Sequence, residues 1–290
     1  MRSLRLRAGS LQFASVMFAM GVGALALATP LVHAQSSNQS SGVVITGRDM
    51  GLVAGATAGA AVLSRFDVPI AHFFNDSAFH ARHPGVTTAA KRASLVTETV
   101  LMLTGGTIYG IARIRHDAGT ADVALHTTES VASAAMFIQV VRGLLGRARP
   151  YVIDDVGERR DTDPYDFEPL HGFTSFDYRS FPSMHAMASI AVATALTQEM
   201  RLRNTPHRGL ISPLLYAGAA MPALARMYLD EHWSSDIALG AFLGAFAGQK
   251  VVTYSHARPD NRIDNFFLGP RLNIGFTTGP HGLTPFASPF

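Results

Sequence analysis

Three short stretches of this chain carry side chains whose types and spacing could do chemistry together. The last of them runs Ala225-Arg226, five residues, His232, three residues, Asp236. Histidine changes charge near neutral pH, and a carboxylate bonded to one ring nitrogen leaves the other free to attack an electrophile. A guanidinium beside it suits an anion. The first stretch is RGLLGRARP, with Arg142, Arg147, Arg149 and Pro150. The proline stops a helix and fixes where the preceding side chains point, and arginine forks fit phosphate oxygens. Arg147 is read differently, as a basic residue complementing a helix C-terminal dipole. The middle stretch is Pro182-Ser183-Met184-His185. It reads as a helix start, whose free backbone N–H groups form an anion site, with a hydroxyl at Ser183 and His185 on the first turn. Ser234 is a candidate N-cap, which puts Asp236 in the first turn of the next helix, within reach of His232. Each stretch alone has an ordinary structural reading, a cap or a local hydrogen bond; their conjunction is what points to a site.

These stretches need helices to position them. Apolar residues at three- and four-residue spacing predict helices over about 50–63, 87–114, 121–145, 183–203, 210–228 and 234–254. The region 66–85 reads as irregular, and 151–178 as a loop with many acids and Pro164 and Pro169. Strand signals are nearly absent until Leu272, Ile274 and Phe276 alternate in the tail. The expected fold is all-α, a bundle of about six helices with an extended or hairpin C-terminal tail. The division expected is a signal peptide over 1–34, a polar linker over 35–47, the helical domain over 48–256 and the tail over 257–290.

Arg2, Arg5 and Arg7, an apolar run over 11–31 and Val32-His33-Ala34 have the form of a secretory signal with a small-residue cleavage site. The alternative is an uncleaved N-terminal helix anchoring the chain in a membrane. Removing the three arginines takes the formal charge from +3 to 0, so nothing electrostatic favours nucleic acid. There is no cysteine, which excludes disulfides and thiol chemistry, and a bacterial-type periplasm is the expected location. The uncharged runs over 50–64, 99–112, 209–225 and 237–249 fall short of the span of about twenty residues that a bilayer needs. A soluble bundle, or one in peripheral contact with a membrane, is therefore expected. His72, His80 and His83, with Asp154, Asp155, Asp161 and Asp163, match no known metal-ligand spacing, and no metal is expected.

Taken jointly, the three stretches resemble the type 2 phosphatidic acid phosphatase family, which includes bacterial non-specific acid phosphatases and vanadium haloperoxidases. The family pattern is lysine, six residues, Arg-Pro; then Pro-Ser-Gly-His; then Ser-Arg, five residues, His, three residues, Asp. This chain has Arg142, six residues, Arg149-Pro150; Pro182-Ser183-Met184-His185; and Ala225-Arg226, His232 and Asp236. The resemblance implies an all-helical core and metal-independent hydrolysis of a phosphate monoester, lipid-borne or small, through a phosphohistidine. On it His232 is the nucleophile, Asp236 fixes its tautomer, and His185 protonates the leaving alcohol. Arg142, Arg149 and Arg226 hold the phosphoryl oxygens with Ser183 and the Met184 backbone N–H. No cofactor is implied, save vanadate if the chain is a haloperoxidase. Three positions depart from the pattern: Arg142 for lysine, Ala225 for serine and Met184 for glycine. The last puts a long side chain where phosphate must approach backbone, and motivates the alternative of a catalytically degenerate phosphate-binding or structural relative. The aromatics Phe167, Phe173, Phe176 and Tyr178 in the acidic loop read as a gate or lipid-contact edge, or as loop residues packed on the bundle.

Overall fold

A computed structural model describes residues 45–153, 157–269, 272–279 and 282–289. The signal segment 1–34, most of the linker, and Asp154 and Asp155 lie outside the described residues. Six long helices form the bundle: α1 (Gly47–Leu63), α5 (Glu98–Ile114), α6 (Ala118–Leu145), α7 (Met184–Leu202), α8 (Arg208–Tyr228) and α9 (Ser234–Ala257). Short helices α2 (Asp67–Phe74), α3 (Ser77–Arg82) and α4 (Pro84–Ala93) fill the region expected to be irregular, and α10 (Arg262–Phe267) follows α9. Strands β1 (Tyr151–Ile153) and β2 (Arg159–Asp161) pair antiparallel within the acidic loop. The tail is an antiparallel hairpin, β3 (Leu272–Gly279) with β4 (Gly282–Pro289), in the register Leu272 to Pro289. The all-α bundle and the hairpin tail agree with the sequence reading.

Helix α7 is the axis. Ala186, Met187, Ala188 and Ala191 on it are at most barely exposed, and α9 lies against it through Gly240, Gly244 and Gly248. A Cβ at Gly248 would sit 2.7 Å from Ala191 O, and at Gly240 and Gly244 closer still to Ser183 O and Met187 O. Glycine at these positions lets two backbones approach where any side chain would collide. The close approach sets the N-termini of α7 and α9 side by side, so that Ser183 N donates to Asp236 O at 3.0 Å. Helix α6, the longest, starts at Asp117, whose side chain accepts from Thr120 N, and ends at Gly146 in the left-handed conformation.

Two expectations need correction. The helix over 87–114 is broken between α4 and α5, which meet at 56°. Ser94 ends α4, and Thr97 caps α5 by accepting from Val100 N at 3.2 Å. The apolar period runs unbroken through the bend, so periodicity alone could not mark it. The estimate of spans was also too strict. α8 and α9 are each long and apolar enough to cross a membrane by length and composition, and the α4–α5 pair would be a third span if counted as one bent element. Counting uncharged runs missed α8 and α9 because Arg226 and Lys250 interrupt otherwise apolar helices. Apolar side chains are exposed in stripes on the outside: Val100, Leu103 and Ile111 on α5, Met136, Phe137 and Val140 on α6, Leu210 and Leu214 on α8. Stripes on that scale mark a surface that meets lipid or another apolar partner.

Candidate active site

The three sequence stretches fall at one end of the bundle. Arg142 is in the last turn of α6, Arg149 just past it, Ser183 caps α7 and His185 is in its first turn. Arg226 is in the last turn of α8, and His232 stands in the short connector before α9. All are buried except His185, which is partly so.

Asp236 anchors the group. It is fully buried, and one carboxylate oxygen accepts from Arg147 at 2.5 Å. The other accepts from Ser180 Oγ at 2.5 Å and from Trp233 N at 2.8 Å, and stands 3.4 Å from His232 Nδ1. With Nδ1 turned to a carboxylate, Nε2 is the nitrogen of His232 left to attack. The N-cap of α9 is thus Trp233 and not Ser234; Ser234 Oγ instead donates to Asp67 Oδ1 at 2.6 Å. Arg147 is no dipole partner, because α6 has already ended. It is buried between Asp236 and Asp67, donating to Asp67 Oδ2 at 2.8 Å, Ser235 Oγ at 2.8 Å and Pro164 O at 2.8 Å. A charge buried this deeply is tolerated when paired and fully hydrogen-bonded.

The other arginines are held by backbone and by one acid. Arg142 gives Nε and a terminal nitrogen to Arg179 O at 2.8 and 2.5 Å. Arg149 gives Nε to Phe176 O at 3.2 Å, lies on the Phe176 ring at 4.0 Å, and pairs with Glu231. The same Glu231 Oε2 accepts from Arg226 at 2.8 Å. With Asp236 paired to Arg147, Glu231 is the carboxylate that Arg149 and Arg226 share, and three guanidiniums gathered here suit a phosphate dianion. Two further groups point the same way. Ser183 Oγ makes no capping bond, and it and Arg226 Nε are buried without a hydrogen-bond partner in the protein. Unsatisfied buried donors are costly and rare outside functional sites.

Burial, with Arg149, Arg226 and Arg142 adding to it, pushes His232 well below the ordinary histidine range, so its ring is neutral. Burial, then Arg226, lowers His185 to about 4, against the hydrogen bond from its Nε2 to Ser94 O at 3.0 Å. That carbonyl is available because the helix breaks at Ser94. Met184 has an ordinary negative φ, being absent from the left-handed residues. Its side chain belongs to the core cluster with Val131, Ile138, Met187 and Leu239. The thioether is therefore taken up by packing, and the backbone N–H at the start of α7 stays at the surface of the site.

Asp67, Arg147, Ser180, Ser94 and Glu231 are the site residues that sequence spacing did not assign. Of these only Glu231, adjacent to His232 and between the arginines in sequence, carried a local signal. His80 and His83 serve structure: His80 bonds Phe74 O at 2.8 Å and stacks on Tyr228, and His83 bonds Phe79 O at 3.0 Å. In the acidic loop Phe167, Phe173 and Phe176 are exposed while Tyr178 is buried.

Residues 124–260 match the family model of the PAP2 superfamily, a span that contains all three stretches. No curated protein matches the chain. Among solved structures the chain is similar to the first transmembrane PAP2 type phosphatidylglycerolphosphate phosphatase from Bacillus subtilis. The two share 17% identity at a TM-score of 0.39, over 85% of this chain and 98% of that one.

Proposed function

We propose, from the match of residues 124–260 to the PAP2 superfamily and from the geometry of the site, that this chain is a phosphatase that hydrolyses a lipid-borne phosphate monoester through a phosphohistidine. The observation that carries this reading is the pair of buried, unpartnered donors, Ser183 Oγ and Arg226 Nε, beside three guanidiniums and a neutral histidine oriented by Asp236. Phosphoryl transfer asks for positioning and charge stabilisation more than for covalent chemistry, and donors fixed before the reaction supply both. His232 Nε2 attacks phosphorus, the phosphorus–oxygen ester bond breaks, and the leaving alkoxide takes a proton from His185. Water then attacks the phosphohistidine, His185 takes its proton, the phosphorus–nitrogen bond breaks and phosphate leaves. Arg142, Arg149, Arg226, Ser183 and the Met184 N–H hold the equatorial oxygens throughout. Burial, with the arginines adding to it, leaves His185 unprotonated near neutral pH in the free protein; a bound dianion offsets the arginines' share and so favours the proton it must give.

The lipid-borne substrate is supported by location. The site sits at helix ends, and α8 and α9 have 21 and 24 residues, about 31 and 36 Å, enough to cross a hydrocarbon layer. A phosphate at the end of such a bundle is at headgroup depth, with Phe167, Phe173 and Phe176 exposed around it. The test uses full-length protein in detergent and EDTA, assayed on phosphatidate, on phosphatidylglycerol phosphate and on p-nitrophenyl phosphate. Turnover blocked by vanadate and lost in His232→Ala, with preference for the lipids, supports the proposal. Folded protein inert on all three rejects it, and preference for the small ester rejects the lipid assignment.

A further inference from the structure

At the opposite end of the same helices stands a second group of polar side chains. Asp122 and His126 are near the start of α6, Glu199 is near the end of α7, His256 is near the end of α9, and Asp264 is on α10. His126 is 16 residues from Arg142, Glu199 16 from Ser183 and His256 20 from Asp236, so at about 1.5 Å per residue the two groups lie about 24–30 Å apart. A cavity of about 290 Å³ opens here, with Asp122, His126, His256 and Asp264 in its wall.

His126 is 2% exposed, and its two ring nitrogens are treated differently. Nδ1 meets Glu199 Oε1 at 2.7 Å, and Glu199 also meets His256 Nε2 at 3.0 Å. Nε2 is buried with no hydrogen-bond partner, although Asp122 Oδ1 and Asp264 Oδ2 each lie 3.4 Å from it. Asp264 Oδ1 is likewise buried and unpartnered. Arg203 occupies the far oxygens, pairing with Asp122 Oδ2 and with Glu199 Oε2. The 3.4 Å separations are not hydrogen bonds, since Nε2 has no partner. They do equal the edge, about 3.4 Å, of a tetrahedron of ligands at about 2.1 Å from a central ion. A histidine whose other nitrogen is held by a carboxylate is the usual form of a metal-binding imidazole. With neutral imidazoles, Asp122, Glu199 and Asp264 against Arg203 leave a charge of minus two. One atom each from Asp122, His126, Glu199 and His256 lies within 4.8 Å of the rest.

We propose that this cluster binds a divalent transition-metal ion of the zinc class, with His126 Nε2, Asp122 and Asp264 as the protein ligands and Glu199 orienting His126. The ion ties the ends of α6, α7 and α10 together and takes no part in hydrolysis at the other end, so it is compatible with phosphatase activity in EDTA. The sequence hides the set, because its members are spread over 143 positions, from 122 to 264, with no motif spacing. The competing arrangement is a protonated His126 among three carboxylates, which needs no metal.

Full-length protein, stripped with EDTA and dialysed, is titrated with Co²⁺ at neutral pH. The expected result is the visible absorption of four-coordinate Co²⁺ saturating at one ion per chain, displaced by Zn²⁺, with a rise in melting temperature on Zn²⁺ addition. His126→Gln should weaken Zn²⁺ binding at least tenfold. Asp264→Asn, which conserves shape, should do the same and serves if a histidine variant fails to fold. Folded wild-type protein with neither the Co²⁺ band nor a Zn²⁺-dependent melting shift overturns the proposal, as does unchanged affinity in Asp264→Asn.

Discussion

Glu231 is the acid that the phosphate must contend with. Its Oε2 is shared between Arg149 and Arg226, the latter at 2.8 Å, and its side chain is 22% exposed. A substrate dianion aimed at the same two guanidiniums has to displace that carboxylate or share the forks with it. A hydrogen bond to a charged group is worth about 1.5–3 kcal/mol net. Giving up one such interaction on binding costs about that much, which is about 10- to 100-fold in affinity. Glu231→Gln keeps the shape and removes the charge. Vanadate and orthophosphate should then inhibit about 10- to 100-fold more tightly, and KM should fall with them. If phosphate release limits turnover, kcat should fall as well. The assay is inhibition of p-nitrophenyl phosphate hydrolysis, with melting temperature recorded to show that the variant is folded. Glu231→Asp, shorter by one methylene, should lie between. Weaker vanadate inhibition in folded Glu231→Gln would refute the reasoning. It would make the acid a scaffold that aims the arginines and not their resident counter-ion.

Four other outcomes follow from the same geometry. Ser183→Ala removes a buried hydroxyl that has no partner, so kcat/KM should drop about 100-fold while the melting temperature holds or rises; a large loss of stability would contradict this. Met184→Gly should lower stability by about 2–5 kcal/mol, because a 5% exposed core side chain is deleted, and should not raise turnover; a sharp gain in kcat would show that the thioether had obstructed the site. His185 is lowered to about 4 from 6.5. The unfolded chain therefore takes up its proton first as pH falls, and stability full above 6.5 is lost towards 4, by at most about 3 kcal/mol; His185→Asn should flatten that part of the melting-temperature profile, the depressed His232 keeping a slope in both. Arg147→Met strands Asp67 and Asp236 as buried acids and should cost about 3–5 kcal/mol, with denaturant unfolding as the measurement; near-neutral stability would mean that the pair is hydrated.

The three candidate-site stretches were legible because each is local. Arg226 ends α8, His232 follows within a short connector, and Asp236 falls three residues into the start of α9. Ser183 and His185 share the first turn of α7 for the same reason. The supporting shell was not legible because its contacts cross the chain: Arg147 to Asp67 spans 80 residues, Ser235 to Asp67 spans 168 and His185 to Ser94 spans 91. The α4–α5 break left no mark in the apolar period, and only Thr97 before Glu98 offered a cap signal. The direction of the Met184 side chain was not legible because sequence cannot tell which way a first-turn side chain leaves the helix. Its Cα belongs to the site and its thioether to the core. The signal segment and the linker expected over 1–44 lie outside the described residues.

Burying three guanidiniums at one end of a bundle is unfavourable unless anions or carbonyls meet them, and the N-termini of α7 and α9 add further positive potential there. The free protein answers with backbone oxygens of Phe176 and Arg179 and with the carboxylate of Glu231. Ser183 Oγ and Arg226 Nε are left unmatched. A tetrahedral dianion supplies what these groups lack: charge for the guanidiniums and acceptors for both unpaired donors. Burial and then the arginines depress His185, and the charge of a bound dianion weakens the arginines' part of that effect, which favours a proton on His185 when the site is occupied. The depressed histidine of the free protein is thus compatible with its role as an acid in the complex, and the coupling depends on the arginines that bind phosphate lying close enough to His185 to be felt there.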